Sequence, residues 1–399
     1  MTIPRVIGLE KIEEARQKGR VVFEVLPNDI ITDLARETAK RLGIRLVLGP
    51  IEKPTVARTD GNTAIRRGLY RRSAKWRSPT NAERREKKRF GKIALVGVGG
   101  VGANIAHLAA IGNIAHEIVL IDISPGVAKS LALDLNHASG ITRHNSFCFG
   151  SEKLADMIDA NVVVVTAGQA RIQGMTRTDL IQVNKRIILS TAEVIKASAP
   201  KAVVIVVTNP LDEMTFEMLR ATTFPREKVL GMAGTLDSAR LRNSLSLAAK
   251  VEASAVEALT LGSHGEEMTP IVSLARIKGR RLENFLSQQQ IKNCEEEAVN
   301  GGGAVVALKK SGSATLAPAH ATMQLLDNMR GAKVGPVPVS VMLEGEYEIE
   351  DVVLGVPAHL GMGGLISIEE LPLTPEEYLN LQRAANAIRN RLGLSSGHP

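Results

Sequence analysis

The sequence predicts an α/β fold in which a parallel sheet precedes an α+β half, with a small αβ appendage ahead of both. Three observations predict it. From Lys92 onward, the near-continuous apolar runs "KIALVGV", "EIVLIDI", "NVVVVTA" and "AVVIVVTN" alternate with helical segments. Strands this apolar are covered on both faces, as in a parallel sheet. The glycine-rich "GVGGVG" follows the first run and opens a helix. Beyond about residue 250 the pattern becomes mixed: "PVSVMLEGEYEIEDVVLGVPAHLG" reads as antiparallel strands, and a charged helix runs from Thr374 to Leu392.

In chain order, residues 9–19 fit a short helix and "RVVFEVL" a strand. "ITDLARETAKRLG" then places Ile31, Leu34, Ala35 and Leu42 near one helical face, with Gly43 as a stop, and "RLVLG" closes as a second strand. This αβαβ unit, residues 1–50, is marginal in size unless it docks to something. Residues 51–90 have little apolar periodicity and form a basic linker; no long repeat is evident. The first 90 residues hold 22 Lys+Arg against 11 Asp+Glu, whereas the remainder holds 28 against 31. The excess lies mostly in residues 65–89, with 11 basic and two acidic side chains. A dinucleotide-type domain is expected over 91–235 and a catalytic domain over 236–399.

Composition excludes several classes. At 399 residues the chain accommodates two or three domains, and 44% hydrophobic with 3% aromatic content is that of an ordinary globular protein. No apolar run reaches the roughly 18 to 20 residues that span a bilayer. Acids stand near the N-terminus where a secretory signal has its apolar core. Cys148 and Cys294 are too few for a disulfide framework and lack metal-ligand spacing. A reducing, cytoplasmic setting is therefore expected, with no membrane partner and no metal.

Gly97, Gly99 and Gly102 have GxGxxG spacing after a strand. The first permits a tight turn, the second lets the backbone approach a pyrophosphate, and the third allows close helix–strand packing. Free N–H groups at the helix N-terminus favour the phosphates. Glycine-rich turns are common and can be merely structural. Here Asp122, at the end of the next strand, can bind both adenosine ribose hydroxyls and repel a 2′-phosphate, favouring NAD over NADP. The parallel sheet is accordingly Rossmann-type.

Other candidates also follow strands. "GQARIQGMTR" carries Arg171 and Arg177 in a segment bracketed by Gly168 and Gly174. Two permanent cations there anticipate anions or a polarised oxygen. Asn209, before Pro210, can hold a turn or donate into a crevice. Asp237 and Arg240 share a helical face, as an exposed ion pair would also do. His264, at a glycine-flanked strand end, can exchange protons near neutral pH, although an isolated histidine is usually structural. In an open parallel sheet ligands bind beyond the carboxyl ends of the strands, where Gly97, Asp122, the arginine segment and Asn209 all fall.

With these residues in view, Lys92 to Leu394 resembles the lactate/malate dehydrogenase family, and within it the lactate-dehydrogenase-like malate dehydrogenases of bacteria. The shared segments, in family order, are "GVGGVG", "TAGQARIQGMTRTDL", "VVTNPLDEMT", "FPREKVLGMAGTLDSARLR", "LGSHGEEMTP", "GGGAVVALKKSGSATLAPA" and "EGEYEIEDVVLGVPAHLG". The resemblance implies an enzyme that interconverts (S)-malate and oxaloacetate by hydride transfer with NAD. His264 would be the general acid/base, oriented by Asp237. Arg240 would clamp the C1 carboxylate and Arg177 would polarise the C2 oxygen. Asn209 would position substrate and cofactor, with Thr166, Ala167, Gly168 and Asn184 completing the cofactor contacts. Arg171 stands where lactate enzymes have an uncharged residue, so it would pair with the distal carboxylate of a dicarboxylate. Closing over a monocarboxylate would strand that cation at a cost of several kcal/mol. An L-lactate or other 2-hydroxyacid dehydrogenase is the alternative, and a non-catalytic scaffold is the alternative of another class. The matched charges argue against the scaffold. A homotetramer or homodimer is implied. Ser130 stands where the family usually has glycine, and Glu266 where aspartate is common.

Residues 1–90 have no counterpart in these dehydrogenases. "VLPNDIITDLARETAKRLGIRLV" resembles a short segment of proteins associated with bacterial microcompartments, implying that residues 1–50 dock to a shell or to cargo. An accessory oligomerisation unit or an inert extension are the other readings. The basic linker, with Tyr70 and Trp76 interleaved, reads as a solvated tether in preference to a nucleic-acid site, since no nucleic-acid fold accompanies it.

Overall fold

A computed structural model describes residues 5–18, 22–26, 29–48, 88–169, 177–310 and 312–394, and for Arg177 and Thr178 the backbone. Arg171, Gly174 and nearly all of the 51–90 linker lie outside the described residues. The chain divides into two compact units, Met1–Glu83 and Arg84–Pro399.

In the first unit, β1 (Val6–Ile7), α1 (Leu9–Gln17) and β2 (Val22–Val25) are followed by β3 (Ile30–Ile31), α2 (Asp33–Arg41) and β4 (Arg45–Leu48). β1 pairs in parallel with β3, Val6 opposite Ile30, and β2 with β4, Val22 opposite Arg45. A β-α-β segment is thus used twice, a repeat of geometry that the residue pattern does not announce. Ile7, Ile12, Ala15, Val25, Ala35, Ala39 and Ile44 form its core. The expected α2 face needs correction. Thr32 caps the helix, its hydroxyl accepting the Ala35 N–H at 3.2 Å, and Ile31 belongs to β3. Ala35, Thr38 and Ala39 are buried, whereas Leu34, one residue out of phase with that stripe, is 57% exposed.

The second unit opens with β5 (Phe90–Val96), α3 (Gly100–Ile111), β6 (Ala115–Ile121), α4 (Val127–Thr142), β7 (Phe147–Ser151), β8 (Val162–Val165), α5 (Arg177–Ser198), β9 (Val203–Val206), α6 (Leu211–Thr222) and β10 (Val229–Gly231). These strands run parallel in the order β7-β6-β5-β8-β9-β10, and β8 and β9 are buried throughout. The chain order reverses between β5 and β8, which opens a crevice at their carboxyl ends.

The second half follows with α7 (Gly234–Ala248), β11 (Val256–Gly262), β12 (Met268–Ile277), β13 (Arg280–Arg281), α8 (Gln288–Lys309) and α9 (Leu316–Met329). It ends with β14 (Val337–Glu344), β15 (Glu350–Gly361), β16 (Gly364–Ile368) and α10 (Pro375–Leu392). β14 pairs antiparallel with β10, so the sheet continues from the parallel half into the antiparallel one without a break. That continuity ties the end of β11 to the crevice. α7 begins within three residues of β10 and packs on β11. α10, capped by Thr374 and Glu377, lies against β11, β12 and β15. Among the described residues, no helix is long and apolar enough to cross a membrane.

Candidate active site

In the turn from β5 into α3, Gly97 and Gly102 are required sterically and Gly99 is not. Gly97 has φ +88°, and a Cβ there would lie 2.6 Å from the Ala167 nitrogen. A Cβ on Gly102 would lie 2.0 Å from the Gly97 carbonyl oxygen, so α3 could not pack this closely on the turn. Gly99, the N-cap of α3, has open space where its Cβ would be. It faces a cleft of about 690 Å³ that Gly97, Gly99, Asp122, Thr166, Ala167 and Gly168 all line. Asp122 accepts the Val98 N–H with Oδ2 and the Ser124 N–H with Oδ1, both at 2.9 Å. Each oxygen keeps a second lone pair for a ribose hydroxyl. Bare backbone at a helix N-terminus with a fixed carboxylate one strand away fits a dinucleotide.

A second cleft, of about 460 Å³, shares Val101, Thr166 and Gly168 with the first. Asn209, Arg240 and His264 line it. Gly262, at φ +88°, ends β11 and turns the chain so that His264 follows on a short loop. The imidazole Nδ1 meets Asp237 Oδ2 at 2.8 Å, and Arg240 Nη1 donates to Asp237 Oδ1 at 3.0 Å. Asp237 is 1% exposed. Burial works to lower the His264 pKa, but the charge and hydrogen bond of Asp237, joined by the charge of Asp212, outweigh it. Arg240 opposes, and the net result lies above the ordinary histidine value. Gly301 and Gly302 of α8 leave room for the guanidinium: added Cβ atoms would stand 3.2 and 3.3 Å from Arg240 atoms.

The remaining candidates fall into three groups. Thr166, Ala167 and Gly168 line the cofactor cleft, with the Thr166 hydroxyl donating to the Gly97 carbonyl at 2.8 Å. Asn184 stands behind the cleft walls. It is 1% exposed, its amide nitrogen donates to the Gln169 and Asn209 carbonyls, and its oxygen accepts the Gln169 N–H. It therefore joins the ends of β8 and β9, acting on the cleft through the backbone it holds. Arg177 opens α5, with its side chain outside the described residues, as is all of Arg171. Of the two departures, Ser130 is exposed and donates to the Val127 carbonyl, and Glu266 lies on the cleft wall.

Sequence reasoning missed Asp212. Fully buried at the start of α6, it accepts the His264 N–H at 2.7 Å and the Ser340 hydroxyl at 2.8 Å. Burial pushes its carboxyl up to about 6, the neighbouring Glu213 charge adding to this and those hydrogen bonds opposing it. A carboxylate two residues after Asn209-Pro210 was a visible signal, because that strand end was already a candidate.

Comparison with known proteins gives the same division of labour. The lactate/malate dehydrogenase NAD binding domain matches residues 91–231, and the alpha/beta C-terminal domain of the same family matches 234–395. A malate dehydrogenase of Nostoc punctiforme is 40% identical over 301 residues, 75% of this chain and 92% of that protein. Among solved structures, the malate dehydrogenase of Cryptosporidium parvum superposes with a TM-score of 0.74 at 34% identity, covering 77% of this chain and 98% of that one. The lactate dehydrogenase of the same organism, complexed with lactic acid and NAD, also reaches 0.74, at 32% identity, covering 78% and 100%.

The glycine geometry makes a direct prediction. Gly102→Ala should weaken NADH binding at least about tenfold in a fluorescence titration, because the added methyl displaces the turn under the phosphates. Wild-type affinity in a folded Gly102→Ala protein would show that the turn does not bind the cofactor.

Proposed function

The chain belongs to the lactate/malate dehydrogenase family, and we propose that within it the protein interconverts (S)-malate and oxaloacetate with NAD. The observation that carries this reading is Arg171 in the segment between β8 and α5, a cation suited to the second carboxylate that malate has and lactate lacks. The malate dehydrogenases among the relatives support it. Lactate is the second reading, favoured by the equal fold likeness to a lactate dehydrogenase.

A dinucleotide held against Gly97, Gly99 and Asp122 would supply or accept the hydride at the substrate's C2. The residues of the chain do the rest. With Nδ1 held by Asp237, His264 keeps Nε2 for the substrate's C2 oxygen, giving a proton during reduction and taking one during oxidation. Asp237 orients the ring and stabilises the imidazolium. Arg240, anchored to Asp237 at one nitrogen, offers the remainder of its guanidinium to the C1 carboxylate. Arg177 stabilises negative charge on the C2 oxygen, and Arg171 neutralises the distal carboxylate. Gly168 leaves room beside Thr208, where an added Cβ would lie 2.5 Å from a side-chain carbon.

Two further parts of the reading concern assembly. We propose a homo-oligomer, supported by the family and by Leu133 and Ile141 of α4, exposed at 57% and 86%. We also propose that residues 1–50 dock to a microcompartment shell or its cargo. The short sequence resemblance supports this, as do Val6, Ile30 and Leu34, each more than half exposed.

Three outcomes are expected. NADH oxidation measured in parallel should favour oxaloacetate over pyruvate, and Arg171→Gln should lower that ratio by about a hundredfold, as loss of a charge pair of roughly 3 kcal/mol implies; a wild type that prefers pyruvate would end the malate assignment. Reduction needs protonated His264, so activity should persist above pH 6.5 and fall as pH rises through the raised pKa. Asp237→Asn should move that limb to lower pH and slow turnover by about 10² to 10⁴-fold, whereas an unmoved limb would remove Asp237 from its role. Deleting residues 1–88 should leave turnover intact and abolish co-sedimentation with shells; full retention would reject the docking role.

A further inference from the structure

The loop that carries His264 joins β11 to β12 and spans Ser263 to Glu267. Asp237 holds the imidazole ring, and Asp212 holds the backbone N–H. A third group reaches this loop from the far end of the chain. Arg391, in the last turn of α10, pairs through Nε with Glu213 Oε1. Its Nη1 pairs with Glu267 Oε1 at 2.7 Å, and its Nη2 donates to the Ser263 hydroxyl at 3.3 Å. The same Ser263 hydroxyl donates to Asp212 Oδ2 at 3.2 Å. Arg391, Glu213 and Glu267 line neither of the two clefts described above.

Two features set this cluster apart from a surface ion pair. Glu213 is fully buried at the third position of α6, where an unpaired carboxylate would be strongly disfavoured. The guanidinium is used at all three of its nitrogens, on groups from two separate elements. Its contacts bracket the histidine, one residue before it and three after it. A lysine could not make this fork, since its ammonium is a point charge.

We propose that Arg391 is a positioning residue for the active site: by joining the N-terminus of α6 to both ends of the 263–267 loop, it fixes the point from which His264 enters the cleft. The proposal rests on the reading of His264 as the acid/base group. α10 is in this way part of the catalytic framework. Its packing against β11 and β12 sets where the guanidinium stands, and the guanidinium sets the loop. An imidazole displaced by a fraction of an ångström still binds substrate but transfers its proton poorly, so the loss should fall on kcat.

The test uses the full-length protein with NADH and oxaloacetate, or pyruvate if the wild type reduces it better. Arg391→Met should lower kcat at least about tenfold while the KM for the oxo acid and the Kd for NADH stay within about twofold. Arg391→Lys, able to satisfy one carboxylate at a time, should recover part of the loss. Glu267→Gln keeps the Arg391–Glu213 pair and weakens only the loop contact, so it should show the same split to a smaller degree. This second variant carries the test if Arg391→Met does not fold. Wild-type kcat in Arg391→Met or Glu267→Gln overturns the proposal, as does a loss that falls equally on kcat and NADH affinity. His264→Asn measured alongside separates the two levels. An inactive His264→Asn beside an unaffected Arg391→Met rejects the positioning role alone, whereas an active His264→Asn rejects the reading on which it rests.

Discussion

A carboxylate with 1% exposure cannot remain charged in an apolar surrounding without partners, and Asp237 resolves this by facing His264 on one oxygen and Arg240 on the other. The rest of the second unit serves that arrangement. α7 must begin directly after β10 to bring Asp237 and Arg240 to the crevice, and β11 must end at Gly262 to bring His264 opposite them. The unbroken sheet from β10 through β14 and β15 to β11 makes those two ends neighbours. The pair therefore forms within the second half, where that half adjoins the end of β10.

The cofactor side follows a different principle. At the β5–α3 turn what matters is the absence of side chains: Gly97 and Gly102 remove atoms that would collide, and Gly99 leaves backbone facing open space. Asp122, fixed by two backbone N–H groups, is the one acid among the described residues that line this cleft. The two clefts meet at Thr166 and Gly168, so the one beside the glycine turn opens into the one that holds Arg240 and His264. An arrangement built from missing side chains on one side and matched charges on the other is what hydride transfer to a charged substrate requires: close approach of the cofactor, and strong orientation of the substrate.

Behind the histidine the charges are organised in a second layer. Asp212, Glu213, Glu267 and Arg391 come from α6, the 263–267 loop and α10; Asp212 bonds the His264 N–H, and Arg391 ties Glu213 to Glu267 of the loop. Buried acids cost stability unless they are hydrogen-bonded or paired; here Asp212 Oδ2 and Glu267 Oε1 hold the loop, Glu213 anchors Arg391, and Asp212 Oδ1 takes the Ser340 hydroxyl of β14.

Much of this was legible in the residues alone. Runs such as "NVVVVTA" and "AVVIVVTN" read as strands covered on both faces, and the glycine spacing after a strand signals a tight turn under a helix, because both signals are local and steric. Asp237 and Arg240 also lay within one helical turn of each other. The phase of α2 was misjudged because the pattern alone did not locate its cap at Thr32, and one residue of phase turned Leu34 outward. The doubled β-α-β geometry of the first unit was hidden because pairing repeated while residues did not. What only the tertiary structure decided was which distant groups meet. Asn184 pins two strand ends instead of lining the cleft, and Arg391 stands 124 positions from Glu267 in the chain yet within hydrogen-bond distance. Local sequence determines conformation through sterics and periodicity over a few residues. Long-range charge pairing depends on how the sheet closes and where α10 lands, and no spacing rule in the chain encodes that.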